Sequence, residues 1–232
     1  MKVKDLKKKP STSDKWDGRT LVCMLIDESG SMSVRKDQTI SAFNEYVASL
    51  QEQGEGEVSF SLTKFNTRPT VVCTDCPIED VVALDTHNYQ PNGCTALYDA
   101  IAITVNALDY RTANTKSRVL FVILTDGEEN SSAEYNKTKI RQLIEMHEGR
   151  GNWTFVYMGS SESTWSDASG IGIFASNTFH WTPEKYGVTM RGLAGASLGY
   201  RACNAASTTD FAADIQSAIN AADQTTGGGD NA

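Results

Sequence analysis

Hydrophobic and polar positions along the chain fall into two recurring patterns. Residues 21–26 (LVCMLI) are an unbroken apolar run that ends at the polar string Asp27-Glu28-Ser29-Gly30-Ser31, which predicts a strand covered on both faces. Ile40, Phe43, Val47 and Leu50 then recur at the spacing of an amphipathic helix that Gly54 and Gly56 stop. Residues 58–65 (VSFSLTKF) alternate like a half-covered strand, and another short run, 70–73, follows Asn66-Thr67-Arg68-Pro69. A connection that short permits only an antiparallel hairpin, because a parallel crossover needs a dozen or more residues.

A polar stretch leads to Gly93-Cys94-Thr95, after which Leu97, Ile101, Val105 and Leu108 form the stripe of a second helix. Residues 119–124 (VLFVIL) predict a second doubly covered strand, closed by Thr125-Asp126-Gly127. Ile140, Leu143, Ile144 and His147 mark a third helix that ends near Gly149 and Gly151. Residues 153–158 form the next strand, residues 178–181 a short last one, and residues 204–222 a closing helix with Phe211, Ile215, Ala218, Ile219 and Ala222 inward. The predicted organisation is a basic, disordered leader (1–18), one domain (19–222) and a flexible Gly-rich tail (223–232).

This order of elements predicts an α/β fold: a doubly wound, mostly parallel open sheet of Rossmann type with one antiparallel edge strand. Ligands bind such sheets at the carboxyl ends of the strands. Residues 27–31 follow the first buried strand, residues 125–130 follow the fourth, and Thr95 opens the helix between them, so the three clusters can share one crevice.

Composition narrows the classes. With 232 residues, 40% hydrophobic, 22% charged, 18 Gly and 5 Pro, the chain can bury an ordinary core of about 70% of its unfolded surface. No apolar run approaches the ~20 residues of a membrane span, and the N-terminal stretch has no signal-peptide core, which predicts a cytoplasmic protein. Residues 1–19 hold seven Lys or Arg against three Asp, net +4, which leaves −12 for the remainder of a chain whose total is −8. An acidic body argues against nucleic-acid binding. Five cysteines without an export signal read as reduced thiols. Cys73 and Cys76 form a CxxC, but it lies at the end of an apolar run. A zinc site that adds His87 and Cys94 fits no common spacing, so ordinary packing is expected.

The candidate chemistry is that of a hard divalent cation. Asp27, Ser29, Ser31, Thr95 and Asp126 offer only oxygen, which suits Mg2+ or Mn2+ over zinc or copper. In an extended loop, alternation points Asp27, Ser29 and Ser31 the same way, and Gly30 allows a close approach of backbone. Neutral hydroxyl ligands would leave an ion acidic enough to accept one more anionic oxygen from outside the chain.

These motifs resemble the von Willebrand factor A (vWA) family, whose metal-ion-dependent adhesion site has Asp-x-Ser-x-Ser, a distant Thr and a distant Asp. Here the matching residues are Asp27-Glu28-Ser29-Gly30-Ser31, Thr95 before Ala96-Leu97-Tyr98-Asp99-Ala100, and Asp126 within Leu124-Thr125-Asp126-Gly127. The forms Thr-Ala-Leu-Tyr-Asp-Ala and ASGIGI (168–173) look closest to intracellular vWA proteins of bacteria and their phages. The resemblance implies a binding module rather than an enzyme. Ser29, Ser31 and Thr95 would ligate directly, Asp27 and Asp126 would act largely through water, and a protein partner, such as an AAA-type ATPase or another complex subunit, would supply a carboxylate. Cys94 stands where the family often has Gly, a departure that bears on loop shape.

Other residues are read as structural. Asp99 is expected to cap or support rather than ligate, and Glu128 and Glu129 are expected at a solvated helix N-terminus. His87, His147 and His180 sit beside no nucleophile and acid in a recognisable order. Two alternatives stand: a Mg2+-dependent phosphatase with Asp27 as nucleophile, which would want a second Asp where Ser29 is, and a scaffold with a vestigial site.

Overall fold

The apolar runs become strands β1 (Thr20–Asp27), β2 (Val58–Phe65), β3 (Pro69–Pro77), β4 (Arg118–Thr125), β5 (Trp153–Gly159) and β6 (Thr178–His180). Between and after them lie α1 (Lys36–Gln53), α2 (Leu97–Thr112), α3 (Lys137–Glu148), α4 (Thr164–Gly170) and α5 (Tyr186–Ala202). The computed structural model describes residues 19–53, 58–113, 115, 117–161, 163–182, 185–202, 211, 213, 215–217 and 220. The predicted leader (1–18), the helix stop at Gly54 and Gly56, Cys203 and the tail (223–232) lie outside the described residues, as does most of the predicted closing helix. Within that helix, Phe211 and Ile215 are helical and fully buried, as expected.

The strands form one sheet in the order β3-β2-β1-β4-β5-β6, parallel except for β2 with β3. The predicted fold class is the observed one. Side chains alternate across each strand, so two cores form. Val22, Met24 and Ile26 of β1 face Phe43, Val47 and Leu50 of α1 and Met190 and Leu193 of α5. Leu21, Cys23 and Leu25 face Leu97, Ile101 and Val105 of α2 and Ile140 and Ile144 of α3. Each such side chain contributes about 1.5–3 kcal/mol on full burial, which is why residues 21–26 of β1 and 119–124 of β4, between a polar first and a polar last residue, are all apolar.

Local signals set the remaining boundaries. Asn136 caps α3, its Oδ1 accepting from Lys139 N at 3.0 Å, a bond worth about 1 kcal/mol. Strand β3 runs on to Pro77, past the predicted 70–73, because register shifts opposite Phe60, Leu62 and Thr63 and a left-handed Asp75 (φ 58°) bend it without ending it. Helices α4 and α5 are absent from the sequence prediction. Helix α5 contains Gly187, Gly192, Gly195 and Gly199, each costing about 1 kcal/mol of helix propensity, and burial of both large and small residues blurs its periodicity. Packing on α1 holds it, with Tyr46 Oη 3.0 Å from Ser197 Oγ.

The chain leaves β1 for β2 on one side and arrives at β4, through α2, on the other. The carboxyl ends of β1 and β4 therefore flank a switch point in strand order, where a crevice opens. Among the described residues no helix is long and apolar enough to cross a membrane.

Candidate metal centre

Asp27 is the last residue of β1 and is fully buried. Its Oδ1 accepts from Ser29 N at 2.7 Å and its Oδ2 from Thr125 Oγ1 at 2.6 Å, while Tyr89 Oη donates to its carbonyl at 2.6 Å. Burial pushes the Asp27 pKa above the usual carboxylate range; the Thr125 and Ser29 hydrogen bonds oppose that rise, and the Asp126 charge adds to it. An ion placed beside it would lower the cost of keeping the carboxylate charged.

The loop after β1 stays extended only as far as Ser29 (φ −72°, ψ 167°), and Gly30–Arg35 then close into a 3-10 turn. The predicted shared direction of the serines survives this turn: Ser29 Oγ and Ser31 Oγ lie 3.1 Å apart. Ser31 Oγ donates to Asp126 Oδ1 at 2.7 Å. Gly30 N donates to Gly93 O at 3.1 Å, and a Cβ on Gly30 would lie 3.3 Å from that oxygen, so a small residue lets the two loops meet.

Thr95 lies two residues before α2 rather than opening it. Its N–H donates to Asn130 Oδ1 at 2.9 Å and its carbonyl accepts from Asn130 N at 3.0 Å, which ties it to the loop after β4. Glycine is required at Gly93, where φ is +73° and a Cβ would stand 2.7 Å from Thr67 Oγ1. Cys94 is exposed, its N–H bonded to Thr67 Oγ1 at 3.1 Å, so its side chain leaves the loop shape to Gly93.

Gly127 gauges the space between these groups. A Cβ built there would lie 3.4 Å from Ser31 Oγ, 3.4 Å from Thr95 Oγ1 and 3.8 Å from Asp27 Oδ2. Three segments far apart in sequence thus aim oxygens at one point, with Ser29 Oγ and Asp126 Oδ1 hydrogen-bonded at its edge through Ser31. All five predicted residues come together. Their donor set, two carboxylates and three hydroxyls, fits a hard divalent cation.

Sequence reasoning missed several participants. Thr125 holds Asp27, Asn130 holds Thr95, and Arg35 Nη1 lies 2.8 Å from Asp126 Oδ2. Thr125 and Gly127 flank Asp126 and were legible as neighbours of a motif residue. Arg35 was not, since 91 positions separate it from Asp126.

The acidic pair after Gly127 needs a correction. Glu128 is exposed, but Glu129 is half-buried and does not sit at a solvated N-terminus of α3. Its oxygens accept from Tyr98 N (2.9 Å) in the first turn of α2, from Ser131 N (2.8 Å) and Ser132 N (2.7 Å), and from Ser132 Oγ (2.6 Å). Asp99 caps as expected, accepting from Ala133 N (2.8 Å), Glu134 N (3.1 Å) and Tyr135 N (2.8 Å). His147 is buried edge-on against Trp153, with Nδ1 2.8 Å from Leu143 O, while His87 and His180 are exposed. Burial pushes the Cys73 thiol up to about 11, the opposite of a reactive thiolate. Among the described residues no three His, Cys, Asp or Glu side chains group as a metal site, so hydroxyls must supply ligands if the centre is used.

Residues 22–128 match the family described as the von Willebrand factor type A domain. That stretch is similar to vWA domains, and the sheet and helices have the vWA-like arrangement. A von Willebrand factor type A structure from Catenulispora acidiphila is 17% identical with a TM-score of 0.57, over 78% of this chain and 43% of that one. Proximal thread matrix protein 1 from the mussel byssus, described with a zinc-occupied MIDAS motif, is 12% identical with a TM-score of 0.56, over 77% and 48%. The manganese-loaded TRAP protein of Plasmodium vivax is 16% identical with a TM-score of 0.55, over 73% and 71%. These likenesses show a shared fold, and the chain spans less than half of the first two proteins. No curated protein matches the chain in sequence.

Proposed function

We propose that the protein is a divalent-cation-dependent protein-binding module that captures an acidic side chain of a partner. The convergence of Ser31, Thr95 and Asp27 oxygens on the point opposite Gly127 carries this reading. Ser29, Ser31 and Thr95 would hold the ion directly, with Asp27 and Asp126 largely through water. When bound, the cation supplies an electrophilic position for an outside carboxylate. The chain's own work is preorganisation: Thr125 and the Ser29 N–H fix the Asp27 carboxylate, and Asn130 fixes the Thr95 loop. The hard oxygens favour Mg2+ or Mn2+. The manganese in the Plasmodium vivax structure supports the choice of a divalent ion, as does the zinc in the byssus protein.

The partner class follows from the resemblance: a subunit with an acidic loop, such as an AAA-type ATPase, in a cytoplasmic setting of bacterial or phage type. A phosphatase reading is weaker, because both oxygens of a fully buried Asp27 are held by donors and Ser29 stands where a general acid would be.

Thermal unfolding of wild type and Asp27→Ala, in chelator and then in millimolar Mg2+ or Mn2+, tests the proposal. With a dissociation constant of ~0.1–1 mM the wild type gains about 1–2 kcal/mol, or several degrees. The variant gains nothing, and acetate added with metal raises the wild type further. A shift that survives in Asp27→Ala removes the site from the mechanism, and phosphatase turnover dependent on Asp27 replaces the reading.

A further inference from the structure

We infer that Arg35 sets the selectivity of this centre: it weakens the hold on a cation and strengthens the hold of the loaded site on an acidic group. The inference rests on the proposed metal site. Arg35 closes the same 3-10 turn that carries Ser31, so one short segment brings a hydroxyl and a guanidinium to opposite oxygens of Asp126. The Asp126 side chain is 2% exposed and that of Arg35 25%, which puts the guanidinium between the buried carboxylate and solvent, where a partner would approach.

Arg35 is braced there. Its Cζ lies 5.7 Å from the centroid of the Trp181 ring, which is itself buried and stacked on Tyr186 at 4.0 Å. Its Nε is buried without a hydrogen-bond partner among the described residues, and its Nη1 donates to Asp126. A guanidinium has five N–H donors in a fixed fork suited to a carboxylate, so several remain available for one.

Formal charge shows what this does. The carboxylates of Asp27 and Asp126 balance a divalent ion and leave a neutral centre, which would hold a partner's carboxylate by coordination alone. Arg35 makes the loaded centre net positive. The same charge repels the ion with which it shares Asp126. Metal and anion therefore respond to Arg35 with opposite sign, which a purely structural arginine would not produce.

The test uses Mn2+ alone as the first probe and acetate as the second. Free Mn2+ is read by electron paramagnetic resonance, and acetate binding to Mn2+-saturated protein by water-proton relaxation. Arg35→Gln binds Mn2+ about fivefold to tenfold tighter and acetate at least about fivefold weaker than wild type, from loss of one unit charge at a half-buried site. Arg35→Lys, which keeps the charge but not the fork, matches wild type for Mn2+ and is intermediate for acetate. Melting in chelator checks that both variants fold. Unchanged or weaker Mn2+ binding by Arg35→Gln overturns the inference, as does wild-type acetate binding, or Mn2+ binding by Arg35→Lys as tight as by the glutamine variant. If the wild type binds no Mn2+, the metal-site reading falls and takes this one with it; if the wild type binds and Arg35→Gln is unchanged, only this one falls.

Discussion

Gly127→Ala separates the site from the fold. Gly127 is not among the glycines with positive φ, so alanine fits the backbone without strain. Its methyl would make contacts of 3.4, 3.4 and 3.8 Å to Ser31 Oγ, Thr95 Oγ1 and Asp27 Oδ2, at or near ordinary packing distance. The metal-free protein should lose no more than about 1 kcal/mol, since close contact is offset by a less flexible unfolded chain worth about 0.4–1 kcal/mol. A bound ion meets a different constraint. Its hydroxyl ligands must come to roughly 2.1 Å, with water filling the remaining positions, and the methyl faces the same three oxygens. Wild type in about 5 mM Mg2+ should gain roughly 1–2 kcal/mol for a dissociation constant of ~0.1–1 mM, a rise in Tm of several degrees, and Gly127→Ala should gain under about one degree. Differential scanning calorimetry with chelator and with Mg2+ measures both quantities in one series. A variant that keeps the full Mg2+ shift would refute the reasoning, because the ion would then lie away from these oxygens. A variant that collapses in chelator would show that the cradle has no room for even a methyl group.

Thr125→Val removes the donor to Asp27 Oδ2 at near-constant volume, leaving a buried carboxylate oxygen short of a partner, and should cost about 2–3 kcal/mol in urea unfolding; a loss below about 0.5 kcal/mol would mean that another donor replaces it. Burial raises Glu148 from the ordinary 4.5 to about 7, against the opposing bond from Phe155 N. The folded state then binds a proton that the unfolded state has released, so the contribution of Glu148 to stability is full below pH 4.5, falls as pH rises from there to about 7, and is lost above. Glu148→Gln should flatten that slope, by about 1–2 kcal/mol once partial exposure is allowed for, and equal slopes for the two proteins between pH 4.5 and 7 in urea titrations would exclude the group as the cause.

Much of the site was legible because its chemistry sits at strand ends. The apolar runs 21–26 and 119–124 are uninterrupted, so the polar residues that follow, Asp27 and the pair Thr125-Asp126, had to emerge at the rim of a covered sheet. Thr95 was found by motif rather than by physics, and its exact place, two residues ahead of α2, came only with the fold. Glu129 shows the limit of local reading. The dipole argument assigned it to the helix that follows, whereas the backbone of α2, 31 residues earlier, claims its carboxylate.

The sequence by itself determined the strand order along the chain, the doubly covered character of β1 and β4, the hairpin at β2 and β3, and the five oxygen-bearing residues of the site. These follow from period, length of connection and residue chemistry, which are local properties. Tertiary structure decided the existence of α5, where packing against α1 outweighs four glycines, and the pairing of Arg35 with Asp126 across 91 positions. It also decided the convergence on Gly127, since which side of a sheet a crossover takes, and which loops then touch, depends on the burial of both faces together.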